Sequence, residues 1–467
     1  MKFYDRESEL NVLETLNKRR PSFIVITGRR RVGKTELIKQ FIKGKNALYF
    51  FVDAYKSLSE LIDEYAEYIV RELSLPSYIK ISKAEEFLEF IFTNEIVKNR
   101  QLIIVFDEFQ RFLKINPSFI MLLQKFWDLY KNDTNIYLII SGSSIGMIRR
   151  IFLEEKAPLF KRADNIITLR DFSFWEICRI LDDLEIVDPI EKLKIFGLFG
   201  GTIFYYTLLE KYNVKSFEDA LNILILNDYA PLRNEVKDIF IEEFGKVYRT
   251  YFEIISAIAR GRVSRKEIAD IVKIKESSLS PYLYDLSEIL NLVEYRVPIT
   301  DDIGKSKRGR YFLTNNFIKF WFKFIYPNRS LYEIGRYEQI KRKILSEWNS
   351  FIGFVFEEIA RDFIKRKYGS SFEKIGAWWD RKGNEIDIVC INQRTSKICF
   401  IEVKWSSLTY SAAIHVINRL REKSKYLSIG FKDVCFGIIA KSISEKDKLK
   451  EQGYLVFDFE DIYNLAQ

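Results

Sequence analysis

The residues able to do chemistry fall into two groups at opposite ends of the sequence. The first is Gly28-Arg29-Arg30-Arg31-Val32-Gly33-Lys34-Thr35. Glycines at this spacing let backbone N–H groups curl around phosphates at a helix N-terminus, where the helix dipole favours negative charge. Lys34 is then placed to reach the β- and γ-phosphates of ATP, and Thr35 to hold Mg2+. The loop residues, with Glu36 behind them, are the candidate nucleotide contacts. A partner motif follows in Leu102-Ile103-Ile104-Val105-Phe106-Asp107-Glu108. Asp107 would bind Mg2+ through water, and Glu108 would polarise the attacking water. An Asp after a core strand can also be a helix N-cap, but that reading fits Asp107 alone and not its pairing with the glycine loop.

The second group is Glu385-Ile386-Asp387-Ile388-Val389-Cys390 with Cys399-Phe400-Ile401-Glu402-Val403-Lys404-Trp405. These runs look like buried strands, where an unpaired charge is expensive. Strand alternation puts Phe400, Glu402 and Lys404 on one face and Ile401, Val403 and Trp405 on the other. Asp387 lies a hairpin's distance upstream. Two carboxylates and an ammonium on one face suit Mg2+, or alternatively Mn2+. Such a metal would acidify a bound water and stabilise phosphoryl charge, with Lys404 orienting that water. A helix expected over Phe351–Lys365 supplies Glu357 or Glu358 as a further acid. The competing reading is a set of charges that blunts a sheet edge.

These groups need elements to hold them. Phe23–Thr27 reads as a strand and Glu36–Ile42 as a helix, the context a phosphate loop requires. A further strand candidate, Ala47–Val52, falls between the two motifs and implies a strand inserted between their strands. Ile136–Ile140 ends in Ser141-Gly142-Ser143-Ser144, where Ser143 can sense the γ-phosphate, although Ser and Gly also make ordinary turns. Asn165–Leu169 is the next strand, and Arg162 before it either reaches a phosphate or is simply solvated. Helical pattern from about Asp171 to Phe244 reads as a lid.

Helices over Tyr251–Arg260, Ser264–Val272 (Ser264 as N-cap, Glu267 three residues on) and Ser277–Leu290 come next. A hairpin of Asn291–Val297 and Gly309–Leu313 follows, with Lys305, Lys307, Arg308 and Arg310 at its tip. Three helices and a hairpin make a winged helix-turn-helix, whose obvious use is DNA binding. Its third helix carries Glu276, Asp285 and Glu288, where major-groove insertion wants the opposite charge, so a protein-binding or interdomain module is an equal alternative; the hairpin tip is the better DNA candidate. The run Phe317-Ile318-Lys319-Phe320-Trp321-Phe322-Lys323-Phe324-Ile325-Tyr326-Pro327 offers either base stacking or a core helix with snorkelling lysines.

The whole chain, 467 residues, suggests about three domains at roughly 100–200 residues each. The pattern divides as 1–172, an ATPase core; 173–245, a lid; 246–330, a winged helix-turn-helix with linker; and 331–467, a nuclease-like domain. Hydrophobic residues at 48% and aromatics at 15% are ample for packed cores. The net charge of +9 favours acidic partners such as nucleic acid, or simply solubility. Four Cys without CxxC spacing and the single His415 exclude zinc sites and a His-dependent triad. No signal segment or long apolar run is evident, so a reducing cytoplasmic location without membrane contact is expected.

These motifs together resemble an archaeal Walker-type ATPase family, related to the STAND and AAA+ class, with a winged helix and a C-terminal PD-(D/E)xK nuclease-like domain. The resemblance rests on Phe3-Tyr4-Asp5-Arg6-Glu7, Thr27–Thr35, Phe106–Gln110, Ser141–Ser144, Gly200-Gly201, Phe320–Phe322, Trp378–Asp380, Glu385–Asp387 and Glu402–Trp405. It implies an α/β fold: a P-loop core, a helical lid, a winged helix-turn-helix and a restriction-endonuclease-like domain bearing Asp387, Glu402 and Lys404. It also implies ATP binding, with Arg6 near the adenine. DNA is the expected partner, with protein partners or self-association as the alternative. One departure is Thr202-Ile203 where the family's lid motif carries a proline.

Overall fold

A computed structural model describes residues 2–76, 79–143, 145–244, 248–427 and 430–466. Ser144 of the candidate strand-tip motif lies outside them. The chain divides into two compact units. The first holds Met1–Asp171 with Thr202–Phe204 and Tyr284–Asn291; the second holds Phe172–Gly201, Tyr205–Leu283 and Leu292–Gln467.

The first unit is built on a parallel sheet of β1 (Ser22–Gly28), β2 (Ala47–Phe51), β3 (Ile103–Asp107), β4 (Tyr137–Gly142) and β5 (Asn165–Leu169), in the order β2-β3-β4-β1-β5. Every residue of β1, β3 and β4 is buried, as near-continuous apolar runs require when helices cover both faces. Alternate residues feed separate cores: Phe23, Val25, Ile104, Phe106, Leu138 and Ile140 pack on one face. Ile24, Ile26, Ile103, Val105 and Ile139 pack on the other. The strand lying between the two motif strands is β4; β2, the strand the sequence suggested, sits at the sheet edge beside β3. Neighbourhood in sequence did not fix neighbourhood in the sheet.

The second unit opens with helices including Phe174–Asp183 and Pro189–Phe199. Gly201 sits where the backbone closes on Phe172: its carbonyl accepts from the Phe172 N–H at 2.9 Å, and a Cβ there would fall 1.8 Å from the Phe172 carbonyl oxygen. Helices Tyr248–Ala259 and Arg265–Val272 follow, the second with the expected Ser264–Glu267 capping box. The single helix expected over Ser277–Leu290 is instead broken. It runs as a 3-10 turn, Glu276–Leu279, a short helix, Ser280–Tyr284, with Pro281 at its start, and a π-helical turn, Asp285–Ile289. Pro281 has no N–H to continue a ladder from the turn before it.

A hairpin of β6 (Val293–Arg296) and β7 (Arg310–Leu313) comes next. The helix expected over Phe351–Lys365 is longer, Tyr337–Tyr368. It seats Phe356 on Trp405 and Phe363 on Phe457, which fixes its face against a mixed sheet. That sheet runs β12-β11-β10-β9-β8, from β8 (Lys374–Trp379), β9 (Glu385–Asn392), β10 (Lys397–Leu408), β11 (Asp433–Ile443) and β12 (Leu455–Asp458). Strands β8, β9 and β10 form an antiparallel meander. Strand β10 pairs β11, and β11 pairs β12, in parallel. The connection from β10 to β11 is the helix Tyr410–Ser424, whose Ala413, Ile417 and Leu420 are buried, as a parallel crossover demands.

Cys399 and Cys435 face each other in register on β10 and β11 and are joined as a disulfide, their Cα atoms 4.5 Å apart. No CxxC spacing announces this pairing; it arises from strand register. Among the described residues, no helix is long and apolar enough to cross a membrane.

Candidate functional site

The phosphate loop leaves β1 and enters the helix Lys34–Ile42 through Gly33, whose φ of 95° favours glycine. The Lys34 side chain is buried in the curve of the loop and donates to the Gly28 and Arg29 carbonyls at 3.0 and 2.9 Å. At the tips of the sheet the Thr35 hydroxyl donates to Asp107 Oδ2 at 2.9 Å. A hydroxyl beside a carboxylate is a hard-oxygen pair that fits Mg2+.

Tyr49 on β2 also donates to Asp107 Oδ2, at 2.5 Å. Burial, and then the Asp107 charge, push its phenol far above the usual range. Glu108 has φ 58°, and Oε2 accepts from Gln110 Nε2 at 2.7 Å and Ser143 Oγ at 2.9 Å. Ser143 is thus linked to the residue expected to orient water. The buried Thr27 and Ser141 hydroxyls, near the ends of β1 and β4, have no partner among the described residues, which leaves polar capacity beneath the loop.

The other loop residues are placed individually. Arg29 pairs with Asp171 at 3.1 Å, and Asp171 accepts from Thr202 at 3.0 Å. Arg31 lies 4.0 Å over the Phe204 ring. Thr202 and Phe204, on either side of Ile203, therefore bear on the loop. Arg30 is exposed and Val32 buried. Arg6 donates to the Val32 carbonyl at 3.3 Å and the Arg170 carbonyl at 2.7 Å, so it abuts the loop. Glu36 is exposed and its carboxylate pairs with Lys39 at 3.0 Å, away from the loop's curve. Arg162 grips Asp128 through several bonds of 2.7–3.0 Å, so it is held in an ion pair, the role neither reading named.

The second group comes together on β9 and β10. Lys404 Nζ lies 2.9 Å from Glu402 Oε1 and 3.9 Å from Asp387 Oδ2. Asp387 Oδ2 also accepts from the Val403 N–H at 2.8 Å, which ties the two strands where their ladder ends. Burial, and then the Glu402 charge, push the Asp387 carboxyl up to about 6. Burial opposes charge on Lys404, but Asp387 and Glu402 outweigh it and hold the ammonium protonated.

The helix Tyr410–Ser424 adds Lys423, 2.9 Å from Glu402 Oε1, which sequence reasoning missed. The helix Tyr337–Tyr368 brings Glu357, whose carboxyl is pushed up to about 7 by burial and then by Asp387. Glu357 is not, however, a third metal ligand in the arrangement seen. Arg361 holds it at 2.6 Å, and no three acidic, Cys or His side chains cluster to hold an ion among the described residues. The alternative acid, Glu358, is taken by Arg361 at 3.0 Å and by both Nη atoms of Arg296, at 2.6 and 2.9 Å.

The hairpin tip also differs from expectation. Arg308 bonds Asp301 and donates to the Trp379 carbonyl at 3.1 Å; Arg310 pairs with Glu385 at 3.1 Å over the Trp379 ring. Lys305 and Lys307 stay exposed. Half of the tip's cations are thus spent inside the molecule.

A parallel sheet with a phosphate loop after its first strand and acids at the tip of the motif strand one place beyond its neighbour defines a P-loop ATPase. Residues 3–205 match an ATPase domain predominantly from Archaea, and residues 321–416 match archaeal and bacterial proteins of unknown function. The chain belongs to the same family as the uncharacterized protein MJECL04 of Methanocaldococcus jannaschii, 33% identical over 98% of this chain and 99% of that one. The uncharacterized ATP-binding protein MJ0423 of the same organism is 48% identical over 44 residues, 9% of this chain and 75% of that one. Among solved structures, the Walker-type ATPase PABY2304 of Pyrococcus abyssi shares the fold, with TM-score 0.53 and 19% identity over 69% of this chain and 96% of that one.

Proposed function

We propose that the chain is a Mg2+-dependent, ATP-hydrolysing switch whose C-terminal part is a nuclease-like domain directed at DNA. The ATPase core takes 1–172, the lid 173–245, the winged helix-turn-helix with linker 246–330 and the PD-(D/E)xK-type domain 331–467. At the phosphate loop, Lys34 meets the β- and γ-phosphates, and Thr35 and Asp107 hold Mg2+. Glu108 orients the water and Ser143 reports on it through Glu108. Gly28 to Gly33 and Glu36 contribute backbone N–H groups, and Arg6 borders the adenine.

One observation carries the C-terminal reading: Lys404 Nζ sits 2.9 Å from Glu402 and 3.9 Å from Asp387. Asp387 and Glu402 would hold Mg2+ or Mn2+, which takes one or two carboxylates with its waters. The ion would acidify water and offset phosphoryl charge. Lys404 positions the attacking water, and Lys423 fixes Glu402. Exposed Lys305 and Lys307 supply DNA phosphate contacts. The test is nicking of supercoiled plasmid with Mg2+ or Mn2+ by wild type, Lys404→Ala, Asp387→Ala and Lys34→Ala. Loss in the first two variants supports the reading; equal cutting by all proteins discards it.

A second reading is favoured by Glu402 being neutralised by two lysines and Glu357 by Arg361. There the C-terminal fold is inert, and ATP controls the binding of DNA or a protein partner, including a second copy. It predicts salt-dependent DNA binding with no cleavage.

A further inference from the structure

Most of the aromatic run around Trp321 is core: Phe317, Phe320, Phe322 and Phe324 are at most 1% exposed. One end of it is different. Tyr326, together with Phe252 from the helix Tyr248–Ala259, keeps part of its ring accessible at a pocket of about 320 Å3. Trp321 backs this wall, stacked on Tyr326 with centroids 5.5 Å apart and planes at 24°. Phe252 meets Tyr326 edge-on at 5.0 Å.

Charge surrounds the aromatic wall. Arg233, Lys237, Arg249 and Arg329 line the pocket against Glu253 and Glu333. Arg233 and Arg329 both use Glu333, at 3.2 and 3.4 Å. Lys237 and Arg249 are exposed and form no ion pair among the described residues. The pocket therefore joins a flat aromatic surface to unspent positive charge. An apolar ligand would waste the cations, a bare anion would waste the rings, and two acids among four cations do not make a metal site. The volume lies at the small end of the range for ligand pockets.

We propose that this pocket takes one nucleotide unit, its base against Phe252 and Tyr326 and its phosphate between Lys237 and Arg249. The unit comes from a single strand of nucleic acid or from a free nucleotide. Aromatic stacking accepts any base, and guanidinium and ammonium groups neutralise phosphate without reading sequence. The site lies wholly within the second unit and shares no residue with the Asp387–Glu402–Lys404 cluster.

The test uses the full chain carrying Lys34→Ala, so that the phosphate loop contributes little, with EDTA present to prevent cutting. A labelled short oligothymidylate is titrated by fluorescence anisotropy. Lys237→Glu and Arg249→Glu should each weaken binding at least roughly fivefold and reduce the salt slope by about 0.7. Phe252→Leu with Tyr326→Ser should weaken it at least roughly fivefold with the slope unchanged. Duplex binding should not respond to the aromatic pair, and circular dichroism with Trp emission checks that each variant is folded. Displacement of the oligomer by thymidine monophosphate assigns a free nucleotide; its persistence assigns a strand. Folded variants that bind the oligomer as tightly as their parent overturn the proposal, as does no saturable binding of either probe.

Discussion

At the scale of single residues, both candidate sites are arranged around carboxylates whose partners are named. Lys34 donates to carbonyls inside its own loop, which accept the bonds that a phosphate oxygen would compete for. Lys34→Ala should cost roughly 10–150-fold in ATP affinity, the worth of one charge-assisted bond, measured by calorimetry. Tyr49→Phe keeps the ring but removes a donor from buried Asp107; the urea midpoint should fall, by up to about 1.5–3 kcal/mol of stability.

Glu357 and Asp387 give a pH dependence whose sign follows from their raised carboxyls, up to about 7 and about 6. Both prefer the protonated form in the fold. Their favourable contribution is therefore complete below the unfolded carboxylate range near 4 and is lost as pH rises through about 6 to 7. In EDTA, urea midpoints should decline across that window. Glu357→Gln with Asp387→Asn should flatten this part of the profile; an unchanged slope would contradict the assignment.

At the scale of elements, stability rests on a few contacts that bring segments close. Gly201→Ala would drive a Cβ to 1.8 Å from the Phe172 carbonyl, which backbone must move to relieve. The expected loss is about 3 kcal/mol or more, visible as a lowered melting temperature or loss of soluble protein. Ser264→Ala removes only one cap and should cost about 1 kcal/mol, so the pair calibrates a tight backbone approach against a local one. The β6–β7 hairpin shows how an element can spend its charge. Arg296, Arg308 and Arg310 engage Glu358, Asp301 and Glu385, so only Lys305 and Lys307 remain for an external anion.

At the scale of the whole molecule, a net charge of +9 is a weak general attraction for nucleic acid until it is placed. If DNA is the partner, Lys305→Glu with Lys307→Glu should weaken duplex binding at every sequence tested. The salt slope should fall by about 0.9 for each DNA phosphate that is no longer neutralised. An unchanged slope would move the DNA surface elsewhere.

Sequence by itself determined what neighbours along the chain decide. Gly28 to Thr35 had to form a phosphate loop, β1 and β3 had to be buried on both faces, and Ser264 had to cap its helix with Glu267. In each case the cause lies within a few residues. The alternation that placed Glu402 and Lys404 on one face is equally local. Tertiary structure alone decided what depends on distance through space. It put β4 rather than β2 between the motif strands, and brought Tyr49 to Asp107 and Lys423 to Glu402. It also paired Cys399 with Cys435. No spacing along the chain encodes those pairings, because they arise only when sheet order, strand register and helix docking have set which side chains meet.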